Sequence, residues 1–338
     1  MRVVNNYDLD NDVKMPFLKE FLSPKWVKEH LFKHLPNIIF NYQLEEIKVI
    51  RYKPEKRCLI EFTFDGKNSL ALIGKIRAKG TDFKSYNLQK QLWKNGFNDD
   101  CLDKISVPEP IAIIPQWQMW LQKKVSGEVL RDLFTPNIDL NIVKKIAHVA
   151  HKLHCANIPT FRSHVIADEL AILHQKLPLI LRDFPEWECR VAHILNTCDK
   201  LGQHIQEDDS LCGIHRDFYF DQIIVNKDHF YLLDLDLYCL GNPALDIGNF
   251  MGHITEYSLR KYGDFSVLKG QEKTVENEFI KLVGENKRQA VTIYTILTLV
   301  RHIYLSTQFV DRHCTTPFLL DYCETQLTMF EKKYSICS

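Results

Sequence analysis

Between residues 47 and 77 the apolar residues gather in three short runs, 47–52, 57–64 and 69–77, rich in Ile, Val, Phe, Leu and Thr. Turn chemistry separates them at Lys53-Pro54-Glu55-Lys56 and at Asp65-Gly66-Lys67, which is the pattern of an antiparallel three-stranded meander. After Gly127 the rhythm becomes helical: Ile142, Val143, Ile146, Val149, Ala150 and Leu153 recur at i, i+3, i+4 and i+7. A chain that changes period in this way is expected to fold as α+β, with a small β-rich lobe and a larger α-rich one. The boundary is expected near a hinge at 122–127, giving regions 1–122 and 123–338, with a cleft between lobes as the expected cofactor site.

Within that frame, Ser23-Pro24 opens a helix, the hydroxyl capping and the proline at the first helical position. Trp26, Val27, Leu31 and Leu35 give its apolar face. Asp82 to Lys94 reads as a helix with Tyr86, Leu88, Leu92 and Trp93 inward and Gly96 as its stop. Strand-like runs follow at 110–114 and 118–125. Later helical patterns cover roughly 165–206, 244–260, 270–283, 286–306 and 316–333. Between them lie two short strands, 222–226 and 229–234, joined by Asn226-Lys227-Asp228.

The charge balance narrows the partners. Lys plus Arg and Asp plus Glu are both 43, so there is no basic footprint for nucleic acid. Ten cysteines are scattered singly with no Cys-x-x-Cys pair, against both a zinc cluster and a disulfide framework. Residues 1–18 are polar and charged, without the apolar core of a signal peptide. The apolar run from Ala290 to Val300 is too short to span a bilayer. The expectation is a cytoplasmic protein with a small-molecule partner and neither nucleic acid nor membrane.

The chemistry concentrates between Ile214 and Phe250. His215, Asp217, Gln222 and Asp234 fall within twenty residues, followed by Gly241, Pro243 and Asp246. Phosphoryl transfer from a metal-bound nucleotide to a hydroxyl needs a carboxylate to take the hydroxyl proton, and oxygen ligands that hold the metal against the phosphates. Asp217 suits the first role; Gln222 and Asp234 suit the second. Asp236 either holds a second metal or caps the following turn.

The order of β-meander, helix, hinge, helical lobe, His-x-Asp loop and Asp turn resembles the protein-kinase-like fold. In detail it resembles the aminoglycoside phosphotransferase and choline kinase group of small-molecule kinases, over about Ile47 to Phe250. That group carries His-x-Asp-x-x-x-x-Asn, then a hairpin to a metal-binding Asp, then Gly-(Asp)-Pro-x-x-Asp. Here His215, Asp217 and Gln222 fill the loop, Asp234 the metal position, and Gly241, Asn242, Pro243 and Asp246 the trailing segment. The resemblance implies an ATP- or GTP-dependent kinase using Mg2+ and a hydroxyl acceptor. It implies that Asp217 is the base, that His215 props the same loop, and that Asp246 satisfies backbone N–H groups of the loop. It also implies that Lys75 meets nucleotide phosphates. No Gly-x-Gly-x-x-Gly is present, so the turn at 53–56, with Lys53, Lys56 and Arg57, is expected over the phosphates instead.

Two departures shape the alternatives. Gln222 stands where the group has Asn, with neighbouring Asp221 as a substitute ligand. The helix from Thr81 to Gly96 has no glutamate to pair with Lys75, leaving Asn87 and Gln89 as the nearest polar groups. They keep open a nucleotide-binding pseudokinase acting as a regulatory or scaffold module, and nucleotidyl transfer in the same fold. A strand end, or the Asp-x-Asp metal site of a glycosyltransferase, is the other reading of Asp234 and Asp236; the meander argues against the latter. His154 reads as a satisfied packing histidine. Phe218, Tyr219 and Phe220 either wall the acceptor pocket or pack inward, and Arg301 with His302 reads as a solvated face before an acceptor wall.

Overall fold

A computed structural model describes residues 1–66, 69–205 and 211–333. The architecture is α+β, as the change of rhythm implied. The chain divides into two compact units, Met1–Gly127 with His229–Leu235, and Glu128–Asp228 with Asp236–Ser338.

The first unit is built on β1 (Arg2–Val4), β2 (Gln43–Lys53), β3 (Arg57–Asp65), β4 (Leu70–Arg77), β5 (Ile105–Ser106), β6 (Pro110–Ile114) and β7 (Met119–Lys123). All but β5 form one sheet in the order β1-β2-β3-β4-β7-β6, with β1 parallel to β2 and the remaining pairs antiparallel. The meander therefore forms as expected, extended by two strands on one side and by a short N-terminal strand on the other.

Its hairpin turn at 53–56 places Glu55 at a left-handed φ of 54°. Asp12 holds that turn, accepting from the Glu55 N–H at 2.8 Å, the Tyr52 hydroxyl at 2.7 Å and the Met15 N–H at 2.7 Å. Three helices accompany the sheet: α1 (Pro24–His34), α2 (Pro36–Ile39) and α3 (Phe83–Lys94). Leu18, Phe21, Val27 and Leu31 join Ile47, Ile60, Phe62, Leu72 and Met119 in one buried cluster. Burial of such side chains is worth about 1.5–3 kcal/mol each.

Pro24 starts α1 as expected, but the Ser23 hydroxyl makes no capping bond; proline's fixed φ and missing N–H suffice there. In α3 Asp82 caps instead, accepting from Ser85 N–H at 3.0 Å, and Gly96 follows the helix at a φ of 87°.

The second unit contains β8 (Glu128–Val129), α4 (Leu130–Leu133), α5 (Leu140–His154), β9 (Ser163–His164), α6 (Ile166–Lys176) and α7 (Glu188–Gly202). Next come β10 (Cys212–Ile214) and β11 (Ile223–Asn226), and then β12 (His229–Leu232), which belongs to the first unit and pairs there in parallel with β5. The second unit resumes with β13 (Cys239–Gly241), α8 (Ala244–Tyr262), α9 (Lys269–Val283), α10 (Arg288–Ser306) and α11 (Thr316–Lys333). The single helical stretch expected at 165–206 is instead two helices, with 3-10 turns at Leu177–Arg182 and Pro185–Trp187 between them. Pro178 and Pro185 each remove a helical donor and clash with the preceding turn.

Two close approaches aim the functional side chains. A Cβ on Gly213 would lie 1.8 Å from the Tyr238 hydroxyl oxygen, and one on Gly241 would lie 2.3 Å from Ile214 Cδ1. Only glycine lets β10 and β13 pair that tightly, directly before the His215 loop. Likewise Gly248 lets α8 meet α10, since a Cβ there would come within 2.5 Å of Tyr294 Cβ. Among the described residues, no helix is long and apolar enough to cross a membrane.

Candidate active site

β10 ends at Ile214 and delivers the loop. His215 is fully buried, Arg216 turns through a left-handed φ of 72°, and Asp217 emerges half-exposed. A non-glycine residue in that region carries strain of about 1 kcal/mol or more and persists only where its surroundings hold it. Asp246, near the start of α8 and fully buried, does the holding. It accepts from His215 N–H at 2.8 Å and Arg216 N–H at 2.7 Å, and His154 Nε2 lies 2.9 Å from the same carboxylate. One helical turn on, Asn249 donates to the Phe218 carbonyl at 3.0 Å, and the Arg301 guanidinium donates to the Asn249 amide oxygen. Two residues of one helix face thus clamp the backbone on both sides of Asp217. The expected role of Asp246 holds in the structure; His154 is a buried packing histidine as expected, but only its Nε2 is satisfied, its buried Nδ1 having no hydrogen-bond partner.

Gln222 is buried, its amide Nε2 donating to Asp217 Oδ2 at 3.4 Å. Asp221, the alternative ligand, is occupied elsewhere: Arg131 Nη1 donates to it at 3.0 Å. Asp236 lies on the short turn Leu235–Leu237, and its carbonyl accepts from Arg162 at 3.0 Å.

Asp217 opens onto a cavity of about 710 Å3 in the second unit. Tyr219 and Phe220 line it, while Phe218 is buried in the core against Phe250. The loop aromatics therefore divide between the two expected roles. Arg301 and His302 also line the cavity rather than forming a solvated face. The tight crossing of α8 and α10 turns that side of α10 inward. His302 is 2% exposed and its pKa falls to about 3, because burial disfavours its charge and Arg301, Arg312 and Arg260 oppose it. His253 is held well below its ordinary pKa by burial first, then by His302 and Arg301. Both imidazoles are neutral at physiological pH.

In the first unit Lys75 stands on β4, opposite Leu59 on β3 and Trp120 on β7. Its Nζ lies 4.6 Å from the centroid of the Trp120 ring. Burial pushes the lysine's pKa down to about 8; the Asp234 carboxylate is the largest charge working the other way, and Asp82 helps, while Arg77 and Arg57 lower it further. Neither amide on α3 serves as its partner. Gln89 is buried and donates to the Pro108 carbonyl at 2.6 Å and to Gln122 at 3.2 Å, and Asn87 is exposed.

Asp234 is half-exposed at a left-handed φ of 50°, a conformation aspartate tolerates better than most residues. Arg57 opens β3 directly across from Arg77. Lys53 at the same hairpin end has its pKa lowered, chiefly by Arg57 and then by Arg51. Positive charge is concentrated at that turn. Among the described residues, no three His, Cys, Asp or Glu side chains gather as a metal site.

Lys75, Arg57 and Asp234 thus share the first unit, and His215, Asp217, Gln222 and Asp236 the second. Sequence reasoning missed Asn249, although its place three residues after Asp246 was a readable signal. It also missed Trp120 and Arg312, which carry no motif.

A half-exposed aspartate on a clamped His-x-Asp loop, with a strand lysine in an α+β chain of this order, defines a protein-kinase-like fold. Residues 87–263, over half of the chain, match the Phosphotransferase enzyme family, and the chain belongs to it. No curated protein matches it in sequence. Its fold is similar to that of spectinomycin phosphotransferase APH(9)-Ia in complex with ADP and spectinomycin, at 14% identity and a TM-score of 0.59, covering 90% of this chain and 97% of that one. It is also similar to choline kinase from Cryptosporidium parvum Iowa II, at 14% identity and a TM-score of 0.58, covering 93% and 96%. Amicoumacin kinase hAmiN in complex with AMP-PNP, Ca2+ and Ami is a third, at 14% identity and a TM-score of 0.59, covering 86% and 92%.

Proposed function

We propose that this protein is a kinase of a small hydroxyl-bearing molecule, moving the γ-phosphoryl group of ATP or GTP to that hydroxyl. The observation that carries the reading is Asp217, presented by a strained and clamped loop at the wall of a metabolite-sized cavity. Solved structures of similar fold contain ADP or AMP-PNP, which supports the nucleotide.

The acceptor oxygen attacks the γ-phosphorus in line. As the new P–O bond forms, the bond to the β–γ bridging oxygen breaks, and its electron pair leaves on the nucleoside diphosphate. The hydroxyl proton passes to the Asp217 carboxylate. His215 props the loop from within. Lys75 and Arg57 meet the phosphates, which gives the first unit the nucleotide and the second the acceptor.

The oxygen donors present suit magnesium, which needs only one or two protein carboxylates beside phosphates and water. Asp234 supplies one. Gln222, with its amide nitrogen turned to Asp217, has its carbonyl oxygen to offer. Asp236 is the candidate for a second ion. Bound there, magnesium would neutralise charge on the phosphates.

Asp217→Asn keeps the shape and removes the base. It is expected to lower turnover by about 10²–10⁴ with nucleotide affinity unchanged, measured with magnesium on an acceptor found by screening alcohols and sugars for nucleotide consumption. Parent-level turnover in the variant would refute the assignment.

A further inference from the structure

The cavity beside Asp217 has an unusual charge for a site that accepts a hydroxyl. Arg131, Arg260, Lys261, Arg301 and Arg312 line it against three carboxylates, Asp217, Asp221 and Glu256. Two of those carboxylates are already paired, Asp221 with Arg131 at 3.0 Å and Glu256 with Arg260 at 2.9 Å. Arg301 is satisfied behind the wall by Glu169 at 3.3 Å and by Asn249. Arg312 and Lys261 are left without a carboxylate among the described residues, Lys261 donating instead to the Tyr257 hydroxyl at 2.7 Å. Arg312 also has a buried Nε with no hydrogen-bond partner, and so does His302 at its Nε2. A buried donor without an acceptor costs about 1–3 kcal/mol, so the Arg312 Nε–H awaits an acceptor.

Cationic acceptors fit poorly. Several ammonium groups would need clustered carboxylates free of cations, and among the lining carboxylates only Asp217 has no cationic partner, although the Oδ1 of Asp221 is also unpartnered. A quaternary ammonium would need open aromatic faces, yet the cavity's own cations and rings already cover them. Arg260 and Lys261 lie 5.3 and 5.1 Å from the Tyr257 ring, and Arg312 lies 4.6 Å from the Phe309 ring. Tyr219 stacks on His253 at 4.5 Å.

Resting on the kinase reading, we propose that the acceptor is a hydroxylated small molecule bearing an anionic group, a carboxylate or a phosphate. Arg312 and Lys261 bind that group while the hydroxyl faces Asp217. The neutral state of His253 and His302 fits such a site, since it is set in part by the surrounding arginines.

The test needs no turnover. Full-length protein without nucleotide is titrated calorimetrically with inorganic phosphate, with lactate, with the methyl ester of lactate and with choline. Phosphate or lactate is expected to bind, and the ester and choline at least tenfold more weakly. Binding of phosphate alone names a phosphate-bearing acceptor, and binding of lactate alone a carboxylate-bearing one. Arg312→Gln is expected to weaken the anion about tenfold or more, and Lys261→Gln, at an exposed position, serves if the first variant does not fold. Lys75→Met should leave the anion unaffected, which separates this site from nucleotide phosphate binding. Equal binding of the ester or choline, no binding of either anion, or an anion lost with Lys75 but not with Arg312 or Lys261, would overturn the proposal. A separate titration of the full-length protein with ATP and GTP that finds no nucleotide binding would instead fail the kinase reading.

Discussion

Lys75 titrates at about 8 in the free protein, and a nucleotide phosphate beside it favours the charged form. Binding should therefore draw a proton from solution. If the bound lysine returns to an ordinary value of about 10.4, uptake is about 0.1 proton per nucleotide at pH 7, about half at pH 8 and about 0.9 at pH 9. Affinity should correspondingly fall about tenfold from pH 7 to pH 9.

The sign in the absence of nucleotide is opposite. A depressed lysine binds fewer protons folded than unfolded between about 8 and 10.5, so stability rises with pH across that window. The penalty present below it is at most about 3 kcal/mol. Isothermal titration calorimetry at pH 8 and 9, in two buffers of different ionisation enthalpy, measures the uptake directly. Lys75→Met should bind nucleotide with no buffer-dependent enthalpy difference and should be more stable than the parent when free at neutral pH. Parent uptake near zero at pH 9, or equal uptake in the variant, would refute the assignment of Lys75 to the phosphates.

Asp234→Ala should abolish the magnesium-dependent part of the thermal shift produced by nucleotide, which at a hundredfold excess over Kd is about 2.7 kcal/mol; a full shift retained in scanning fluorimetry removes Asp234 from the metal. Gln222→Asn shortens the amide by about 1.5 Å and, on the reading that the loop is fitted to the longer side chain, should lower turnover; a rise in turnover would mark Gln222 as a degraded ligand. Asp246→Ala leaves two loop N–H groups and His154 without their acceptor, a loss of about 3–9 kcal/mol at 1–3 for each group, to be read by urea denaturation; a loss below about 1 kcal/mol would show that the clamp is dispensable.

What could be read from the sequence was local. The meander announced itself through period-two runs and turn residues, and Asp246 through the Gly-Asn-Pro-x-x-Asp segment that carries the family resemblance. The break inside 165–206 was also written locally, in Pro178 and Pro185, but the helical period on either side outweighed it. Other features depended on register and on distant parts of the chain. Trp120 faces Lys75 only because β7 pairs with β4 at one particular offset. β1 is three residues long, too short for a pattern to show. The inward turn of Arg301 and His302 follows from a glycine crossing fifty residues earlier. Near-equal numbers of acids and bases along the late helices concealed a local excess of bases, because the carboxylates there are spent on ion pairs.

The strand His229–Leu232 pairs with Ile105–Ser106, and its segment completes the first unit with Asp234 at its end. Synthesis runs from the N-terminus, so about a hundred further residues must leave the ribosome before that unit has all its parts, some 5–20 s at usual elongation rates. During that interval a nascent chain has Lys75 but not the carboxylate that most favours its charge. The nucleotide site proposed above would thus be a late product of translation, and a fragment ending at Gly127 would lack Asp234 however well its sheet had folded.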